Sequence, residues 1–132
     1  TAKHTTVLSC YTKWRNTMID FACKTFSIEE VIKCSLGLTK SDFRLLNHFL
    51  KHSGRQLTTT ELSKELKLDL STIQRSVKKL REKGVIVRGQ TNLGGGGYEF
   101  YYEACNKQKV ARVINDIIDN WTKTVKQELA NL

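Results

Sequence analysis

The chain has 132 residues and no proline. Nothing therefore removes a backbone donor inside a helix, which suits a fold of helices with short connections. No run of about 18 apolar residues is present, so no membrane-spanning helix is expected. The start lacks an apolar core followed by a small-residue cleavage site, so a secretory signal is not expected and a cytoplasmic location is. The four cysteines include no Cys-x-x-Cys pair. In a cytoplasmic protein they argue for thiols, ligands or a redox sensor rather than a disulfide framework. No nucleophile–base arrangement stands out, and the chain is not expected to be an enzyme. Acid is scarce too: 13 Asp and Glu face 22 Lys and Arg, a formal net charge of +9. A surplus of that size points to a polyanionic partner, because Lys and Arg release counterions from phosphates.

The basic residues cluster most in residues 71–83. Ile73, Val77 and Leu80 recur at the spacing of one buried helical stripe. Arg75, Lys78, Lys79, Arg81 and Lys83 fall mostly off that stripe, with Glu82 the only acid. A basic helix on a compact scaffold suits the major groove of DNA. Ser71 and Thr72 lie in its first turn, where hydroxyl and N–H groups can hold a phosphate. Gln74, Arg75 and Lys78 project from its middle, with Gln suited to adenine and Arg to guanine. Lys79, Arg81 and Lys83 are expected on phosphates.

The flanks give the helix a context. Val7, Tyr11, Trp14, Met18, Phe21 and Thr25 step by four and three, predicting a helical seam from about Thr5 to Phe26. Ser27 opens a capping box for a short helix that Gly37 ends. Thr39 caps a helix of about 12 residues with Phe43, Leu46, Phe49 and Leu50 inward. Gln56, Leu57 and Thr58 form a short extended piece. Thr59 or Thr60 starts the next helix, with Leu62, Leu66 and Leu68 inward. The turn Lys67–Leu70 then forces a sharp crossing into residues 71–83. Val85–Arg88 reads as a strand, Gly89–Gly97 as a flexible loop with four consecutive glycines, and Tyr98–Tyr102 as a second strand. A nucleotide-binding loop is disfavoured there, since no Lys-Ser/Thr and no helix follow. Arg88, Gln90 and Asn92, within the wing at 88–98, are expected on the minor groove or its phosphates. A long helix from about Asn106 to Leu132 repeats Val110, Val113, Ile114, Ile117, Ile118, Trp121, Val125 and Leu129.

The predicted class is mainly α with a small β-hairpin: a winged helix-turn-helix with N- and C-terminal dimerisation helices. The expected division is an N-terminal helical arm at 1–36, a DNA-binding domain at 37–105 and a dimerisation helix at 106–132. Leu38-Thr39-Lys40-Ser41-Asp42-Phe43, Leu57 to Leu66 and Leu70 to Ile86 resemble archaeal and bacterial winged-helix transcriptional regulators of the TrmB-like and MarR-like groups. That resemblance implies a homodimer on double-stranded DNA, each domain on one half-site. The wing departs from the MarR pattern, the large sugar-binding C-terminal domain of full-length TrmB proteins is not expected in these residues, and the second helix lacks the cysteines of the metal-sensing ArsR proteins. Trp14, Met18, Phe21, Ile117, Trp121 and Val125 are the expected dimer contacts.

Two further readings stay open. Cys10, Cys23, Cys34 and Cys105 suit an iron–sulfur cluster or zinc as thiolates, making a redox or metal sensor; otherwise they are small buried hydrophobes. The domain also suits a protein-interaction winged helix of the basal transcription machinery. His48 and His52, one helical turn apart, permit a metal pair but fit a packed or solvated helix face better, and His4 joins no motif.

Overall fold

The computed structural model describes residues 18–132. Strands β1 (Met18–Phe21) and β2 (Lys24–Ser27) form an antiparallel hairpin, followed by helices α1 (Ile28–Leu36), α2 (Lys40–Lys51), α3 (Thr59–Leu66) and α4 (Leu70–Glu82). Strands β3 (Ile86–Asn92) and β4 (Tyr98–Ala104) form a second hairpin, and α5 (Lys107–Ala130) ends the chain.

The first hairpin corrects the sequence reading, which placed a helix through Phe26. Ile19 pairs with Phe26 across the strands, and Asp20 with Thr25. The Thr25 hydroxyl donates to the Asp20 carboxylate at 2.7 Å. β-branched and aromatic residues fit a pleated surface better than a helix. A two-residue turn with Ala22 at φ 50° closes the pair. The apparent seam is thereby split, since Met18 and Phe21 point to opposite faces of one strand. Val7, Tyr11 and Trp14 lie outside the described residues.

The helices begin where the sequence indicates. Ser27, Thr39 and Thr58 each cap a helix through a reciprocal box with Glu30, Asp42 and Glu61. Gly37 closes α1 in the left-handed conformation, at φ 64°. Helix α3 starts at Thr59, and Thr58 before it is the cap, its hydroxyl accepting from the Glu61 N–H. Leu57 extends the wing sheet by a single bridge to Tyr102.

One cluster of buried side chains runs through the molecule. Ile32 and Leu36 of α1, Leu45, Leu46 and Phe49 of α2, Leu62 of α3, Ile73 and Leu80 of α4, and Val110 and Ile114 of α5 all belong to it. The described part of the expected N-terminal arm, the central domain and the first part of the terminal helix thus share one core. Past Ile117 the stripe of α5 leaves it: Trp121 is 60% exposed and Leu129 58%.

The wing strands run further than expected. Gly89 lies inside β3, so the connecting loop shortens from Gly89–Gly97 to residues 93–97. The ring of the facing Tyr101 occupies the space a Cβ at Gly89 would take. The tip closes through Leu93 N–H to the Gly97 carbonyl and Gly96 N–H to the Leu93 carbonyl, both 3.1 Å. Gly96 and Gly97 hold φ of 98° and 81° there, which glycine adopts without strain.

Candidate nucleic-acid interface

Helix α4 has an inner face, an outer face and one polar anchor. Ile73, Val77 and Leu80 are buried in the core. Ser76, which lies beside this stripe, is buried as well and donates to the Asp42 carboxylate at 2.5 Å. Asp42 also accepts from the Thr39 N–H at 2.9 Å and pairs with Lys79 Nζ at 2.9 Å. Burial opposes ionisation of Asp42, but the bonds from Ser76, Thr39 and Lys79 outweigh it and hold the carboxyl below the ordinary carboxylate range. Lys79 donates a further bond to the Gly37 carbonyl at 3.3 Å. Lys79, expected on a DNA phosphate, is therefore turned toward α2. The sequence hid this because the partner carboxylate lies far away in the chain and doubles as a capping residue.

The outer face is open. Ser71, Gln74, Arg75, Lys78, Arg81 and Lys83 are exposed, and Thr72 is half-buried. Unlike the three preceding helices, α4 starts without a side-chain cap: Asp69 makes no capping bond. Beside this face the wing carries Arg88, Gln90 and Asn92, all exposed and directly opposite Tyr102, Phe100 and Tyr98. Directly opposite residues share a face of the sheet. That face turns toward α4, where Gln74, Val77, Lys78, Arg81, Arg88 and Tyr102 line a cleft of about 290 Å³. The Arg88 guanidinium sits 4.1 Å from the centroid of the Phe100 ring. Sequence reasoning found the cations and missed the rings. The available signal was alternation, since 88, 90 and 92 face 98, 100 and 102 across a short loop.

A second charged group braces the scaffold. Arg55 grips Glu65 with two bonds of 3.1 and 2.7 Å, and His48 meets the same carboxylate at 2.9 Å. Burial works against ionisation of Glu65, but Arg55 and His48 hold its carboxyl below the usual range. Burial, with His48 next to it, lowers the affinity of His52 for a proton. The group links α2, its following loop and α3 on the side chains the sequence treated as a packed helix face.

The three described cysteines do not converge on one site. Cys23 is exposed in the turn of the first hairpin, and Cys34 is exposed on α1. Cys105 is half-buried, its thiol 3.5 Å from the Gly84 carbonyl. Cys10 lies outside the described residues. Among the described residues no three His, Cys, Asp or Glu side chains converge as metal ligands, and no helix is long and apolar enough to cross a membrane.

Three capped helices with a sharp turn into a basic fourth, followed by a two-stranded hairpin beside it, define a winged helix-turn-helix domain. A solved structure of a possible transcriptional regulator from Methanosarcina mazei Go1 is similar to it, with TM-score 0.83 and 49% identity over 88% of this chain and 97% of that one. The model of the DnaD N-terminal domain family matches residues 26–127, and the chain belongs to that family. A protein of Sulfolobus tokodaii shares the fold at TM-score 0.59 and 24% identity, covering 79% of this chain and 94% of that one. An uncharacterized protein of Methanocaldococcus jannaschii is 26% identical over 110 residues, 83% of this chain and 82% of its own length.

Proposed function

We propose that the protein is a homodimeric, sequence-specific DNA-binding regulator of transcription, of the broad MarR-like and TrmB-like kind. The observation that carries this is the division of labour on α4: Ser76 and Lys79 are anchored to Asp42, while Gln74, Arg75 and Lys78 stay bare. A helix fixed on one side and cationic on the other can enter the major groove without rearranging. The wing beside it adds Arg88, Gln90 and Asn92. The similarity to the Methanosarcina protein, itself described as a possible transcriptional regulator, supports the same reading.

The second copy would cover α5. A helix of 24 residues is about 36 Å long, and only its first part reaches the core. Ile118, Trp121, Val125 and Leu129 continue the stripe in the open. Ile117, expected at the interface, packs partly against the protein's own core instead. Dimerisation would set two α4 helices about one turn of DNA apart, on a pseudo-palindromic site.

The test is selection of bound duplexes from a random pool, with wild type and Arg75→Ala in parallel. Wild type is expected to enrich a two-half-site motif. Arg75→Ala should still bind but lose roughly tenfold or more of its discrimination at one position per half-site. A pool that stays random with wild type would sink the reading.

A second reading, a DNA-binding redox or metal sensor, draws on the exposure of Cys23 and Cys34. An iron–sulfur cluster or zinc would need thiolates gathered with Cys10 or across two chains. Anaerobic purification with metal analysis and an absorbance spectrum tests it; a colourless, metal-free protein counts against it.

A further inference from the structure

The inner face of the wing changes character along its length. At its root Ile86 and Tyr102 are buried. Further out, Phe100 is half-buried beneath the Arg88 guanidinium, and Tyr98 meets the Phe100 ring edge-on at 5.1 Å. Tyr98 remains 56% exposed. The core gains little from a ring that stays in water, and a hairpin that only grips duplex phosphates needs cations and small polar groups. Rings interleaved with cations serve a different partner. Unpaired bases stack on aromatic faces whatever their sequence, while their phosphates call for Lys and Arg nearby. At the root of the same wing face a cleft is lined by Arg88 and Tyr102 on the hairpin and by Lys78 and Arg81 on α4.

We propose that the inner face of the wing, together with the cleft at its root against α4, binds single-stranded DNA. Bases stack on Tyr98 and on the Arg88–Phe100 pair, and the strand's phosphates run along Lys78 and Arg81. The inference rests on the DNA-binding reading above for the kind of partner, and it adds the wing's aromatic rings to a surface that overlaps the duplex contacts. Arg75, the residue assigned to duplex readout, is not part of the cleft lining. The two modes share Lys78, Arg81 and Arg88, so single strand and duplex compete.

The experiment is fluorescence anisotropy of the full chain, at one salt concentration, on three labelled probes. These are a ~15-nucleotide oligothymidylate, a length near the upper end of known single-strand sites, a duplex, and an oligouridylate of the same length. Tyr98→Ala should weaken the single-stranded DNA probe roughly tenfold, as loss of one stacking platform does, and leave the duplex nearly unchanged. Tyr98→Phe should restore binding, because it keeps the ring. Arg75→Ala should show the opposite pattern. Duplex binding with no affinity for the single strand would overturn the proposal and leave the duplex reading standing. Equal losses on both DNA probes for Tyr98→Ala, or tighter binding to the RNA probe, would overturn it too. Failure on every probe would sink the DNA-binding reading itself, and this inference with it.

Discussion

Helices α4 and α5 each show one face to the core and leave another bare, but the bare faces are opposite in kind. The open face of α4 is cationic, and the open end of α5 carries an apolar stripe of Ile118, Trp121, Val125 and Leu129. Charged side chains are comfortable in water, so α4 can wait exposed for a partner that arrives only sometimes. An apolar stripe with a Trp at its centre forfeits the gain of burial for as long as it stays uncovered. The first surface suits a reversible ligand, the second a standing one. Their anchoring differs in the same sense: α4 is pinned by a buried carboxylate, whereas the distal half of α5 contributes no side chain to the core cluster.

The sharpest way to break the comparison is to remove the apolar end. Deleting residues 118–132 spares Val110 and Ile114, which the core needs. The shortened chain is expected to fold yet remain a monomer in light scattering, with affinity for a two-half-site duplex reduced by a hundredfold or so as the link between half-sites is lost. A dimer surviving this deletion would move the interface elsewhere. Next in size is the anchor of α4. Asp42→Ala removes the side chain that accepts from the Thr39 N–H in the α2 capping box and strands the buried Ser76 hydroxyl, for a loss of about 2–4 kcal/mol in denaturant unfolding.

The same carboxylate sets an acid limit. Its proton affinity is lowered in the folded protein, so the stability it contributes is present above the unfolded-state value. That contribution is lost as the pH falls through the lowered folded-state value. Asp42→Asn should flatten this acid limb of the unfolding curve, and an unchanged limb would remove Asp42 from it. The smallest contrast lies between neighbours. Lys78→Ala should reduce the salt slope of DNA binding by about one, whereas Lys79→Ala should cost about 1 kcal/mol of stability and leave the slope alone. Equal slopes for the two variants would contradict the inward placement of Lys79.

Local signals carried most of the fold in the sequence. Caps at Ser27 and Thr39, the stop at Gly37 and the stripe Ile73–Val77–Leu80 are all decided within a few residues, so they were legible. What failed depended on pairing at a distance. Met18, Phe21 and Thr25 match a helical period, but cross-strand partners such as Ile19 with Phe26 decide the outcome. Lys79 looked like one more surface cation until Asp42, 37 positions earlier, came to lie beside it. The wing rings were likewise invisible as a site until the strand register placed Tyr98 and Phe100 opposite Asn92 and Gln90.

Gly89 carries one more lesson, for anyone mapping this surface by mutation. A methyl group at that position would collide with the Tyr101 ring, which would have to swing aside. An alanine scan of the wing would therefore flag Gly89, and the change would belong to Tyr101 on the opposite strand. On this hairpin, the position that responds and the position that acts are different residues.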